Sequence, residues 1–261
     1  MKTPEAVEPA TKRESSTKYT KKQEKHVSIC RTVSTRHSRI LSFRASASHT
    51  RKGSFPVVPK LLVATKNAHK SAEIRAILGS GWEVTDLNAF PEIPAPEETG
   101  ETFTENAAIK ALAASAKFAG LVLSDDSGLE VDALDGAPGV RSARYAGENA
   151  PDADNRAKLL LALAEKEVRG KARTARFRCV MAVARDGQVL GHFHGTVEGV
   201  IIPRERGEGG FGYDPLFIPD GYCETFGELP AEVKNQLSHR ARALEETRKF
   251  LEQLDVAKPN K

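Results

Sequence analysis

Two adjacent aspartates, Asp125 and Asp126, stand inside "LVLSDDSGLEV", residues 121–131. Leu121, Val122 and Leu123 lead into them, so the stretch reads as a buried strand that ends on the pair. Neighbouring carboxylates repel, and each is costly to desolvate. A lysine, a metal ion or both is therefore expected beside them. Ser127-Gly128 implies a tight backbone with room for a ligand to approach.

Further candidates lie on either side. "KLLVAT", 60–65, reads as a short buried strand, and "NAHKSAEIRAIL", 67–78, as a helix with Ile74, Ile77 and Leu78 in a stripe. Thr65 or Asn67 can cap it. A strand, a turn and a helix start present backbone N–H groups and a positive dipole end to an anion, and Lys66 and Lys70 add charge there. In "PEETGETFTENAAIKALAASAKFAG", 96–120, Thr102 and Glu105 form a capping box. Phe103, Ala107, Ala111, Ala114 and Phe118 then recur at near-helical spacing, with Asn106 and Lys110 sharing a face. By itself, Lys110 reads as part of a solvated polar face. Glu97 and Glu98 precede this helix.

The second half carries a hairpin signal, two apolar runs about Asp186-Gly187 in "FRCVMAVARDGQVLGHFHG". "RGEGGFGYDPLFIP", 206–219, is too Gly-rich for regular structure, yet Phe211, Tyr213, Leu216 and Phe217 call for burial. "LPAEVKNQLSHRARALEETRKFLEQL", 229–254, reads as a short helix, a break at Ser238 and a long amphipathic helix. Ser238 is a suitable N-cap, which places His239 and Arg240 in a first turn where cations oppose the helix dipole.

The whole chain carries a formal charge of +4, but the charge is unevenly spread. Residues 1–59 hold a balance of +9 and residues 60–261 one of −5. The body therefore gives no sign of binding nucleic acid; only the basic tail leaves that open. Residues 1–57 are rich in Arg and Ser and read as a disordered extension, with an organellar targeting segment as the functional alternative. The expected folded domain is 58–257. No apolar run suits a membrane span or a secretory signal. Cys30, Cys179 and Cys223 form no C-x-x-C pair. This argues against a disulfide framework or a structural zinc site and points to a reducing, cytoplasmic setting.

The segments "ATKNAHK", "PEETGETFTENAAIKA", "SDDSGLEVDALDGAPGVRSARYAG", "GGFGYDPLF" and "LSHRARAL" occur in this order. Together they resemble the inosine triphosphate pyrophosphatase family over residues 60 to 253. The resemblance implies an α/β fold, a long curved mixed β-sheet with flanking helices forming two lobes around a nucleotide cleft. It implies Mg²⁺-dependent hydrolysis of ITP, dITP and XTP to monophosphate and pyrophosphate by a homodimer. Matched to the family pattern, Asp126 is the proton acceptor and a magnesium ligand, and Ser127 contacts substrate. Glu97 or Glu98 is the other magnesium carboxylate. Thr65, Lys66, Asn67, Ala68, His69 and Lys70 match the triphosphate loop, and Lys110 a phosphate-side lysine. Phe211, Gly212, Tyr213 and Asp214 match a segment that packs on the nucleoside, and Lys234, His239 and Arg240 the residues that hold the base. The family commonly has Gly where Lys66 stands, which alters the phosphate loop while adding a cation.

This assignment is chemically coherent. Mg²⁺ takes one or two carboxylates with phosphate and water, would offset the Asp125–Asp126 repulsion, and would leave Asp126 or Asp125 to orient the attacking water. Two alternatives keep the same loops: a nucleotide sensor without turnover, and a pyrophosphatase for modified pyrimidine or methylated nucleotides. Because the tail has no composition for a core, deleting residues 1–57 is expected to leave melting temperature and ITP turnover unchanged. A fall of several degrees in a thermal melt would show instead that the tail packs on the body.

Overall fold

The computed structural model describes residues 58–256, so the reading of 1–57 as an extension lies outside the described residues. Residues 58–220 and 224–256 belong to one body, while 221–223 cluster apart from it as a short turn.

Six strands form one mixed sheet: β1 (Lys60–Val63), β2 (Glu83–Asp86), β3 (Leu121–Val131), β4 (Thr174–Arg185), β5 (Gln188–Ile201) and β6 (Phe217–Pro219). Their order is β2-β1-β3-β4-β5-β6. β1 pairs in parallel with β2 and β3, and the remaining pairs are antiparallel. The helices are α1 (Ala68–Leu78), α2 (Phe103–Ser115), α3 (Asp152–Glu165), α4 (Ala231–Leu237) and α5 (His239–Val256). The mixed sheet with flanking helices agrees with the expected fold class.

Strand alternation decides which helix covers which residue. Leu121, Leu123, Cys179, Met181 and Val183 face α1 and α5, packing with Ile74, Leu78, Ala243, Leu244 and Leu251. Val180, Ala182 and Ala184 face the other way, onto Phe103, Ala107 and Ala111 of α2. The alanines let α2 lie close to the sheet, as its composition suggested. A further cluster joins the far ends of β3, β4 and β5 to Leu159 and Leu163 of α3 and to Leu216, Phe217 and Phe226.

Most local signals are realised. Asp186 and Gly187 have φ of 53° and 73°, the paired positive values that a two-residue hairpin needs. Thr102 and Glu105 make the capping box, and Ser238 separates α4 from α5. Three expectations change. First, β3 does not stop at the aspartates but runs through them to Val131, because β4 continues opposite, with Asp126 against Val180 and Val131 against Ala175. Second, the Gly-rich segment ends in a short 3-10 turn, Asp214–Leu216, and in strand β6. Third, Gly128 lines the cleft, but the space where a Cβ would stand is filled from the loop after β3. A Cβ there would lie 2.4 Å from both the Gly139 carbonyl oxygen and Ser142 Oγ. Gly128→Ala is therefore expected to destabilise the fold by about 1–3 kcal/mol, seen as a lower melting temperature with two-state unfolding retained.

Candidate active site

The continuous strand gives the two aspartates separate surroundings. Asp125 is 1% exposed and lies on the α1/α5 face. Arg240 Nε donates to its Oδ2 at 2.8 Å, Lys70 Nζ bonds its Oδ1, and Ser127 Oγ donates to Oδ1 at 2.9 Å. Cys179 Sγ also reaches Oδ2, at 3.2 Å. Burial alone would raise the Asp125 carboxyl, but Arg240 and Lys70 hold it well below its ordinary value. Cys179 is a buried free thiol, and burial beside Asp125 pushes it well up, in keeping with a small buried core residue.

Asp126 is on the opposite face, with α2. Lys110 Nζ donates to its Oδ1 at 2.6 Å and to Glu98 Oε1 at 3.2 Å. Lys110 is 9% exposed, so the expectation of a solvated polar face is corrected. Burial would lower the Lys110 ammonium, but Asp126 and Glu98 raise it. For Asp126, burial pushes the carboxyl up, while Lys110 and Lys70 pull it down. Its Oδ2 is buried without a hydrogen-bond partner.

Glu98 is held by its loop. Gly100 N donates to Asn106 Oδ1 at 2.8 Å, and Asn106 Nδ2 donates back to the Gly100 carbonyl at 3.2 Å. This latch fixes the segment before α2 to that helix. Arg144 Nη1 reaches Glu98 Oε2 at 3.5 Å. Glu97 is exposed and does not line the cleft, whereas Glu98 does.

Asn67 caps α1, its Oδ1 accepting from His69 N at 2.9 Å and Lys70 N at 3.2 Å. Thr65 Oγ1 in turn accepts from Asn67 N at 3.1 Å. Two of the amides expected to face an anion are thus already taken, which leaves the side chains of Lys66 and Lys70 as the loop's main positive groups. Ala68 and His69 open the helix. His69 stacks on Phe211, with centroids 5.3 Å apart and planes at 17°.

The remaining residues form a buried charge chain. Arg240, 1% exposed, also bonds Glu73 and donates Nη2 to Ser127 Oγ at 3.0 Å. Glu73 Oε1 accepts from Lys234 Nζ at 2.7 Å, and Lys234 pairs with Asp214. Asp214 Oδ2 accepts from Phe211 N at 2.8 Å, fixing the Gly-rich loop. The Arg240 guanidinium is therefore largely committed to protein partners. His239 stacks on Phe177 at 4.9 Å and 12°. Burial and Arg240 hold its imidazole well below its ordinary value, and its Nδ1 has no partner. Tyr213 is buried, its hydroxyl donating to the Ser142 carbonyl at 2.9 Å, so it braces the wall. Sequence reasoning missed Glu73 and Arg144. The three-residue spacing of Glu73 from Lys70 on one helix was a usable signal; nothing local marked Arg144.

All the expected site residues except Glu97 and the two helix-start residues Ala68 and His69 line one cleft of about 270 Å³. The wall of this concave site combines cations and carboxylates with the rings of Phe177, Phe211 and Tyr213, the make-up of a small-molecule pocket with a few charged groups. The chain matches the Ham1 family model over residues 61–250, and it belongs to that family. It is 50% identical over 192 residues to the dITP/XTP pyrophosphatase of Halalkalibacterium halodurans, covering 73% of this chain and 98% of that protein. It is 52% identical over 187 residues to the dITP/XTP pyrophosphatase of Geobacter sulfurreducens, covering 71% and 92%. Among solved structures, a HAM1 protein from Coxiella burnetii matches with a TM-score of 0.66 at 40% identity, covering 75% of this chain and 99% of that one. The Staphylococcus aureus Ham1 protein matches at 0.65 and 39%, with coverage of 75% and 99%.

Asp125 should matter to the fold. Asp125→Ala leaves Arg240 short of its main partner in a buried setting, and is expected to cost about 3–5 kcal/mol in denaturant unfolding. The Asp125 contribution is also acid-labile. Its folded value is depressed, so the stabilisation is present above the unfolded value of about 4 and is lost as pH falls below it. Melting temperature against pH should therefore drop more steeply below about pH 4 in the parent than in Asp125→Asn.

Proposed function

We propose that this chain hydrolyses non-canonical purine nucleoside triphosphates, ITP, dITP and XTP, to the monophosphate and pyrophosphate. The observation that carries the mechanism is Asp126, a buried cleft carboxylate with one oxygen held by Lys110 and the other unpartnered. The relatives named dITP/XTP pyrophosphatase support the substrate class.

The donor set fits Mg²⁺. Asp126 and Glu98 offer hard oxygen ligands, and Asp126 Oδ2 is a buried oxygen in need of a partner. Among the described residues no cluster of three or more ligating side chains exists, which agrees with an ion that completes its shell from phosphate and water. The cleft lining also carries nearly balanced charge, six Lys/Arg against five Asp/Glu, so a triphosphate calls for an additional cation. When bound, Mg²⁺ supplies charge to the phosphoryl oxygens and acidifies water.

The chain's own groups do the rest. Asp126 accepts the proton of the water that attacks the α-phosphorus. Lys110 keeps Asp126 oriented, and its charge, with that of Lys66 and Lys70, favours departure of pyrophosphate. Phe211, already in contact with His69 and Lys234, packs on the nucleoside. His239, neutral and with Nδ1 free, and the uncommitted part of Arg240 and Lys234 face the base. A purine 6-oxo group suits donors there, while the 6-amino group of ATP leaves donors opposed, a mismatch that hydrogen-bonding sites reject strongly. Among the described residues no helix is long and apolar enough to cross a membrane. A homodimer and a cytoplasmic setting belong to this reading on family resemblance.

A panel of ITP, XTP, GTP and ATP with Mg²⁺, scored for pyrophosphate, tests it. ITP should exceed ATP in kcat/KM by roughly 10²–10⁴, and equal use of the two would refute the base reading. Binding of ITP without turnover would favour the sensor instead. Asp126→Asn should keep the fold and lose about 10²–10⁴ in kcat; turnover within threefold of the parent would remove Asp126 from its role.

A further inference from the structure

Phe211 sits in the least regular part of the cleft wall. Asp214 fixes its own amide from the C-terminal side. The next residue, Gly212, has a φ of 60°, a conformation that glycine adopts readily and leaves readily. His69 stacks on the Phe211 ring and Lys234 Nζ lies 4.9 Å from its centroid, but the backbone that carries the ring needs a hold of its own.

The first turns of α3 supply it from outside the loop. Asp152 Oδ2 accepts from Gly212 N at 2.6 Å. Arg156 Nη1 donates to the Gly212 carbonyl at 2.9 Å, and its guanidinium also pairs with Glu205 at 2.9 Å. Asp152 and Arg156 are four residues apart and so share a helix face. The helix behind them is firmly seated. Leu159 and Leu163 are core residues, and Asn155 bonds the Ala146 amide at 2.7 Å and the Ala143 carbonyl at 3.2 Å. One rigid helix therefore grips one glycine by both its amide and its carbonyl. Asp152 also lines the cleft, where a carboxylate would repel a triphosphate; its charge is misplaced for binding, and its acceptor oxygen is not.

We propose that Asp152 and Arg156 are positioning residues, which clip Gly212 so that the Phe211 ring is presented to the purine. This rests on the reading of the cleft as a purine triphosphate site. Neither residue contacts the groups assigned to the chemistry at phosphorus, so loosening the clip should weaken base binding and leave the chemical step largely intact.

The test is a kinetic cycle with ITP and Mg²⁺ on the full chain: parent, Asp152→Ala, Asp152→Asn, Phe211→Ala and the Asp152→Ala/Phe211→Ala double variant. Asp152→Ala should raise KM by about 5–20-fold with kcat within about threefold. Asp152→Asn keeps an acceptor oxygen and should bring KM back to within about threefold of the parent. In the Phe211→Ala background, Asp152→Ala should add less than about twofold, because the group it positions is gone. An unchanged KM in Asp152→Ala, equal damage from Asn and Ala, or the same factor in both backgrounds would each overturn the clip. A parent that does not hydrolyse ITP would instead overturn the substrate reading, and the proposal with it.

Discussion

A β-strand sends neighbouring side chains to opposite faces, and β3 applies that rule to two adjacent aspartates. The like charges that look hostile in the sequence both reach the cleft wall, but each meets cations of its own. Asp125 turns to α1 and α5, where Arg240 and Lys70 neutralise it. Asp126 turns to α2, where Lys110 does. In the first environment, at the cleft wall, both carboxylate oxygens are held by protein donors. The second is bound on one side only, which leaves an oxygen for chemistry. No metal is needed to relieve repulsion between the two; the strand has already done so.

From Asp125 a chain of alternating charges extends across the molecule: Lys70, Asp125, Arg240, Glu73, Lys234 and Asp214. It ties β3 to α1, α5 and α4, and ends at the loop that carries Phe211. Buried ion pairs of this kind add little net stability, because desolvation offsets their attraction. Removing one member is another matter, since it strands a charge. Their value here is geometric: the start of α1, the Gly-rich loop and the central strand are held at fixed spacing; if the cleft binds a triphosphate, that is the preorganisation its charges need. Most Arg240 donors already serve that frame.

Local features were legible wherever the controlling interaction was local. The capping box at Thr102, the Asp186-Gly187 turn and the break at Ser238 each depend on residues within four positions of one another. The same is true of the Asn67 cap. Long-range facts were not legible. The strand continues past Asp126 because β4, more than forty positions away, pairs with it. Lys110 is buried because β3 brings Asp126 beneath it. β2 (Glu83–Asp86) and α3 (Asp152–Glu165) went unread. β2 is four residues long and not strongly apolar, and α3 starts on Asp and Asn residues that also suit loops. That Glu98 and not Glu97 lines the cleft shows only in the folded loop, which Asn106 ties to α2 at Gly100.

The central claim is that Asp126 activates water for attack at the α-phosphorus, and the fate of the water oxygen tests it most directly. ITP should be hydrolysed with Mg²⁺ in ¹⁸O-enriched water and both products examined by mass spectrometry. The predicted result is one heavy oxygen in the phosphate of IMP and none in the pyrophosphate. Heavy oxygen in pyrophosphate, or release of orthophosphate with IDP, would place the attack at another phosphorus and contradict the role assigned to Asp126.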